Sequence, residues 1–101
     1  MTNKLSDLEI HRALGGLPGW SRKGDALTKT YSFARFADGI RFVTQVAELA
    51  DMMNHHPDID VRYTKITFTL STHDAGGVTQ RDLDLAKGIE QAAGFETKPS
   101  A

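Results

Sequence analysis

The segment 61–70 constrains the fold most, because its alternating apolar residues change phase partway along. Apolar side chains fall first on odd and then on even positions: Val61 and Tyr63, then Ile66, Phe68 and Leu70. Successive side chains of a strand point to opposite faces of a sheet, so one straight strand would turn one of these sets to the wrong face. The segment therefore predicts either one strand kinked by a bulge or two strands that reverse near Thr64-Lys65.

Upstream, the sequence predicts a helix followed by a hairpin. Ser6 and Glu9 have the spacing of a capping box at a helix start. Gly15-Gly16 would stop that helix. The segment 20–34 alternates polar and apolar residues and predicts a hairpin with its turn at Gly24-Asp25.

Lys29 interrupts the apolar face of that hairpin, which predicts a strand near a sheet edge. A second helix follows, which Asp38 could cap. It must end before Pro57, since a proline disfavours the helical conformation of the residue before it. The predicted buried stripe of this helix is Ile40, Val43, Val46, Ala47, Ala50 and Met53.

A third helix is predicted after Thr79, with Thr79 as its cap and Val78 placed to contact Leu83 across the first turn. Its apolar residues recur at helical spacing: Leu83, Ala86, Ile89 and Ala93. Gly94 would end it, and the segment 96–101 would be a frayed tail.

The element order α, ββ, α, β or ββ, α is typical of an α+β domain with its helices on one face of an antiparallel sheet. The 101 residues fit a single domain spanning 1–101. The chain lacks cysteine, which excludes disulfides and thiolate sites. A net charge of −1 without a basic run gives no sign of nucleic-acid binding. No signal peptide or membrane-spanning stretch is evident, so a cytoplasmic protein is expected.

Three of the four histidines lie at the ends of predicted elements, where catalytic groups are commonly presented. His55 and His56 follow the second helix, and His73 follows the last strand. Histidine is the side chain best suited to exchange protons near neutral pH. The remaining one, His11, falls on the first helix and is expected to be a surface residue.

Two other interpretations use the same histidines. A His-His-Pro loop is more often solvated surface than a functional site when it stands alone. Alternatively, the three imidazoles with Asp51 could hold zinc and leave an open position. The spacing matches no standard zinc signature, so acid–base chemistry is the preferred hypothesis over a metal site.

Three motifs together resemble the pterin-4a-carbinolamine dehydratase family. The segment 51–58, Asp-Met-Met-Asn-His-His-Pro-Asp, resembles the family's acidic-x-x-x-His-His-Pro-acidic signature. The segment 63–74 resembles its Tyr-x-Lys strand that ends in Leu-Ser-Thr-His, and the segment 79–86 resembles its Ser/Thr-x-Arg-Asp helix start. The resemblance extends over nearly the whole chain, from about Leu5 to Ala93.

This resemblance implies a four-stranded antiparallel sheet with three helices on one face, in the order α-β-β-α-β-β-α. It therefore favours two strands over one kinked strand before His73. It also implies association into a homodimer or homotetramer. A phenylalanine hydroxylase would be a pathway partner that supplies the substrate.

The implied reaction is loss of water from a 4a-hydroxytetrahydropterin to give the quinonoid dihydropterin, without metal or other cofactor. The C4a hydroxyl needs an acid and N5 needs a base. By resemblance His55, His56 and His73 share these roles, with His56 on the base side. The other residues implied to bind the pterin are Asn54, Ser71, Thr72, Asp74, Asp51 and Arg81. Of these, Asp51 would orient an imidazole and Arg81 would face the pocket.

A function of a different class stays open beside the enzyme. Some animal members of the family are dimerisation cofactors of a homeodomain transcription factor, and related proteins are assembly factors. This chain would then be a non-catalytic binding module that uses the strand 27–33 or the helix 40–53 as its contact. Retention of all three histidines favours the enzyme, because a scaffold needs none of them.

Overall fold

A computed structural model describes residues 3–96, without the side chains of residues 95 and 96. The elements along the chain are α1 (Asp7–Leu14), β1 (Ser21–Lys23), β2 (Ala26–Ser32), α2 (Phe36–Met53), β3 (Asp58–Arg62), β4 (Lys65–Leu70), a short 3₁₀ turn (His73–Ala75) and α3 (Gln80–Glu96). This order confirms the predicted α+β class and the predicted sequence of elements.

The phase change between β3 and β4 is a reversal of the chain and not a bulge. Arg62 pairs with Lys65 across a two-residue turn, in which Tyr63 adopts a left-handed conformation with φ of 53°. The resulting four-stranded sheet has the order β1-β2-β4-β3, and every neighbouring pair is antiparallel. Because β3 and β4 are separate strands joined by a turn, both can present their apolar residues to the same face of the sheet.

The sheet buries one face against the helices. Cross-strand partners on that face include Leu27 with Leu70 and Ile59 with Phe68. The opposite face is lined with threonine on its central strands, where the Thr30 and Thr67 hydroxyls lie 2.7 Å apart. The core thus lies between a single apolar face of the sheet and the helices, which fits one layer of each.

The prediction that Lys29 marks a strand near a sheet edge holds in part: β2 lies between β1 and β4, but β1 pairs only with residues 26–28, so residues 29–32 pair with β4 alone. The Lys29 ammonium lies 2.7 Å from a Glu90 carboxylate oxygen on α3 and also donates to the Pro18 carbonyl at 2.7 Å. The same Glu90 oxygen accepts from the Trp20 indole and the Tyr31 hydroxyl. A lysine on the buried face is therefore satisfied by a partner from another element. Burial, reinforced by Glu90, raises the pKa of Tyr31.

The start of α2 and part of its buried stripe differ from the prediction. Arg35 and not Asp38 precedes the helix, and Asp38 lies inside the first turn, where it pairs with Arg41. Phe42 is fully buried, whereas Ile40 is 39% exposed. The predicted stripe holds at Val46 and Ala50, which are buried, while Val43 and Met53 are half-buried and Ala47 is exposed.

The other two helices follow the prediction closely. The capping box of Ser6 and Glu9 is formed at the start of α1, and His11 is exposed. All four predicted core residues of α3 are buried. The predicted stop at Gly94 is wrong, since α3 continues to Glu96, and the rest of the predicted tail, 97–101, lies outside the described residues.

Within residues 3–96, no helix combines the length and the apolar character needed to cross a bilayer.

Candidate active site

The adjacent histidines are presented by the C-terminal cap of α2. Asn54 adopts the left-handed conformation, with φ of 51° and ψ of 43°, and its N–H donates to carbonyls of the last helical turn. The His55 N–H then donates at 3.1 Å to the Ala50 carbonyl, which also accepts from the Asn54 N–H, so both bonds close the end of the helix. Asparagine tolerates this conformation better than most residues. The cap therefore fixes the position at which the chain leaves α2 and enters the His55-His56 segment.

His73 reaches the same region from the end of β4. The segment after Leu70 leaves the sheet, and an isolated bridge joins Thr72 to Gly77 around the 3₁₀ turn that begins at His73. Gly76 closes this turn in the left-handed region, with φ of 74°, which glycine adopts without steric cost. Because β3 and β4 reverse, the end of β4 returns to the end of the sheet at which β3 begins, next to the histidine pair.

The first turn of α3 holds the histidine loop from the other side. Arg81 donates through Nη2 to the Asn54 carbonyl, and the Asp82 carboxylate lies 2.6 Å from Nε2 of His55. One N–H donor of Arg81 is therefore used to hold the loop backbone next to the histidines.

These three segments enclose a cleft of about 380 Å³. Its lining residues are Asn54, His55, His56, Ser71, Thr72, His73, Asp74 and Arg81. All three predicted histidines line it, as do all the predicted binding residues except Asp51. The volume falls within the range typical of small-molecule sites, which begins at about 300 Å³.

Asp51 does not line the cleft but contacts His56, which does. The Asp51 carboxylate lies 2.8 Å from Nε2 of His56, and its role of orienting that imidazole stays a prediction. Both side chains are largely exposed, at 78% and 58%. Solvent therefore competes for this contact, so it restrains the ring only weakly.

Asp82 is a site residue that sequence reasoning missed. Its side chain is fully buried, and it contacts His55, itself only 8% exposed. Asp82 Oδ2 accepts from the Thr79 N–H at 2.9 Å and from the Thr72 hydroxyl at 2.8 Å, while Oδ1 faces His55. The Thr79-x-x-Asp82 spacing indicates the local capping contact, but the contact with His55 joins residues 27 apart in the chain.

Two of the predicted binding residues already use their hydroxyl protons within the fold. Ser71 donates to the Asp25 carbonyl at 2.9 Å, and Thr72 donates to Asp82. Ser71 could offer a ligand only an oxygen lone pair or a backbone group. Thr72 could offer only a lone pair, because its backbone N–H and carbonyl are already bonded within the loop 72–77. Among the described residues, no group of three His, Cys, Asp or Glu side chains is arranged to hold a metal ion.

The fold and the cleft together define an α+β protein with a histidine-lined site suited to proton transfer. The family model described as "Pterin 4 alpha carbinolamine dehydratase" matches residues 3–92. The chain therefore belongs to this family, which confirms the predicted family and the predicted enzyme class, a hydro-lyase.

Relatives in two bacteria carry the provisional name pterin-4-alpha-carbinolamine dehydratase. The protein of Roseiflexus sp. (strain RS-1) is 50% identical over 90% of this chain and 98% of its own length. The protein of Nocardia farcinica is also 50% identical, over 91% of this chain and 97% of its own. These matches cover nearly the full length of both partners in each comparison.

Two of the solved structures that resemble this one are a pterin dehydratase and a pterin dehydratase-like protein. The transcriptional coactivator/pterin dehydratase of Brucella melitensis has a TM-score of 0.88 and 33% identity, covering 91% of this chain and all of the other. A pterin dehydratase-like protein identified as a RuBisCO assembly factor in the alpha-carboxysome has a TM-score of 0.61 at 24% identity, covering 74% of this chain and 87% of its own. The second likeness shows a shared fold alone.

Proposed function

We propose that this chain dehydrates 4a-hydroxytetrahydrobiopterin to quinonoid dihydropterin and water by histidine acid–base catalysis. The observation that supports it most directly is the meeting of three histidines from two separate segments at one cleft. Family membership supplies the reaction, and the cleft supplies the groups that the reaction needs. Hydroxide is a poor leaving group, so a proton donor and a proton acceptor must act on the same substrate.

The proposed step moves two protons and breaks one bond. A histidine donates a proton to the C4a hydroxyl, and the C4a–O bond breaks with both its electrons leaving on water. A second histidine removes the N5 proton, and the freed electron pair forms the C4a=N5 double bond. His56 is assigned to the base side, and His55 and His73 to the acid side.

Contacts to the pterin would come from both rims of the cleft. On one rim, Asn54 offers its side chain beyond the backbone that Arg81 holds. On the other rim, Asp74 is exposed and offers a carboxylate to the N–H groups of the ring. Ser71 would contribute a backbone group or a lone pair and Thr72 only a lone pair, because their hydroxyl protons and the backbone groups of Thr72 are used elsewhere.

The test follows dehydration of freshly generated 4a-hydroxytetrahydropterin by ultraviolet absorbance in the presence of a chelator. We expect wild type to accelerate the reaction and His56→Ala to lose about 10²–10⁴-fold of that acceleration. His11→Ala is the matched control, since His11 is exposed on α1 and does not line the cleft. Activity of His56→Ala equal to that of the control would contradict the assignment, and loss of wild-type activity only with chelator would favour a metal site.

The proposal also extends to partners and location. The substrate would be the product of pterin-dependent aromatic hydroxylation in the cytoplasm, so a phenylalanine hydroxylase is the proposed pathway partner. Self-association into a homodimer or homotetramer is proposed as well. Phe36 is 49% exposed on the same helix as Ile40, which gives α2 an apolar patch for such contact. Sedimentation at micromolar concentration would test this, and a monomer would contradict it.

A binding module is the second candidate, favoured by the name of the Brucella melitensis protein as a transcriptional coactivator. Its predicted strand contact applies only in part, because β1 pairs with residues 26–28 of β2 and leaves residues 29–32 paired with β4 alone. If wild type fails to accelerate dehydration over the spontaneous reaction, this candidate replaces the enzyme.

A further inference from the structure

The buried contacts of Asp82 determine which partner donates in each hydrogen bond around it. Asp82 Oδ2 accepts the backbone N–H of Thr79, which can act only as a donor, and the hydroxyl of Thr72. Because the Thr72 proton is used in this way, the Thr79 hydroxyl must donate across the 2.7 Å contact to the Thr72 oxygen. The Arg81 N–H in turn donates to the Thr79 oxygen. All these bonds point towards Asp82, which is therefore surrounded by donors.

His55 supplies the remaining bond to this carboxylate. An ionised carboxylate is an acceptor only, so the 2.6 Å contact with Asp82 Oδ1 requires a proton on Nε2 of His55. In the neutral imidazole, a proton on Nε2 leaves Nδ1 as an unprotonated nitrogen. The buried network thus selects one of the two tautomers of His55.

The other nitrogen of His55 opens onto the cleft. Nδ1 of His55 makes no hydrogen bond to the described residues. Yet among those residues no side-chain nitrogen or oxygen is both buried and without a partner. Nδ1 must therefore reach accessible space, and the accessible space beside His55 is the cleft.

We propose that Asp82 is a positioning residue that holds His55 with its proton on Nε2, so that Nδ1 is the nitrogen that exchanges protons with the substrate. To act on the acid side, His55 first takes up a proton at Nδ1 and then gives that proton to the C4a hydroxyl. Asp82 itself does not touch the substrate, since it is fully buried behind the imidazole. The kinetic part of this proposal rests on the proposed function, whereas the tautomer does not depend on any reaction.

The variant Asp82→Asn tests whether Asp82 orients the His55 ring or only fills the space beside it. The asparagine carbonyl oxygen must take the place of Oδ2, because Thr79 N–H and the Thr72 hydroxyl both need an acceptor. The amide NH₂ then faces Nε2 of His55, which must become an acceptor, and the imidazole proton moves to Nδ1. Asp84→Asn is the matched control, because Asp84 lies exposed on the same helix and pairs with Gln80.

The experiment records the ring nitrogen signals of ¹⁵N-labelled protein at a pH where His55 is neutral, alongside dehydration kinetics. We expect Nε2–H in wild type and Asp84→Asn, and Nδ1–H in Asp82→Asn. We expect kcat of Asp82→Asn to fall by about 10²–10⁴-fold, as when a catalytic histidine is held in the wrong tautomer, with KM little changed.

A wild-type His55 with its proton on Nδ1 would overturn the proposal without any variant, so the test survives if Asp82→Asn fails to fold. An unchanged tautomer in a folded Asp82→Asn, or an unchanged kcat despite a switched tautomer, would also overturn it. If wild type shows Nε2–H but no dehydratase activity, the proposed function fails, the kinetic role fails with it, and the tautomer assignment stands.

Discussion

Two histidines that are adjacent in the chain are held by aspartates in opposite environments. His55 contacts the fully buried Asp82, whereas His56 contacts Asp51, whose side chain is 78% exposed. The contact distances differ by little, 2.6 Å against 2.8 Å. Burial and shared partners, and not contact distance, decide how firmly a histidine is oriented. A buried carboxylate without its partners is costly, whereas an exposed pair exchanges freely with water.

The largest difference is expected in stability. Asp82→Ala leaves two donors without an acceptor, the Thr79 N–H and the Thr72 hydroxyl, and removes the partner of His55. We expect the free energy of unfolding to fall by about 3 kcal/mol or more, a large share of a small domain's stability. Chemical denaturation measures it, with Asp51→Ala as the exposed counterpart, expected to cost about 0.5 kcal/mol or less. Equal losses in the two variants would remove the distinction between the pairs.

The next largest effect is expected on activity, without a matching loss of stability, at the exposed pair of Asp51 and His56. We expect Asp51→Asn to reduce kcat by about tenfold at most, because solvent already competes for the orientation of His56. Steady-state dehydration kinetics measure the change, and thermal unfolding should show a melting temperature close to wild type. A loss as large as that of Asp82→Asn would mean that the exposed carboxylate orients its imidazole as firmly as the buried one.

The loop that joins both histidines to α2 gives a smaller effect. Asn54→Gly should keep stability within about 0.5 kcal/mol, because glycine adopts the left-handed conformation freely. Asn54→Ala should cost about 1 kcal/mol through the strain of a Cβ in that conformation. Denaturation of both variants checks this. A KM raised equally in both would in addition show that the Asn54 side chain contacts the substrate.

Much of the fold could be predicted from the sequence because its signals are local. The capping box at Ser6 and the phase change after Tyr63 each involve residues only a few positions apart. Lys29 shows what local reasoning leaves out. Its partner Glu90 lies 61 residues away, so a lysine on the buried face resembles a break in the strand until the tertiary contact is known.

The candidate site divides in the same way. The three histidines could be predicted because their motifs are contiguous in sequence. The contact between Asp82 and His55 could not, since it depends on how α3 packs beside the end of α2. The start of α2 failed for a different reason: Asp38 is a good cap by residue type, but Arg35 has the extended conformation that precedes the helix.

The most direct test of the central claim compares wild type with a variant that lacks all three cleft histidines, His55→Ala, His56→Ala and His73→Ala together. Dehydration of 4a-hydroxytetrahydropterin is measured for both with chelator present, after circular dichroism has shown that both are folded. The account predicts that wild type accelerates the reaction and that the triple variant proceeds at the spontaneous rate. Acceleration by the triple variant comparable to wild type would contradict histidine catalysis at this cleft.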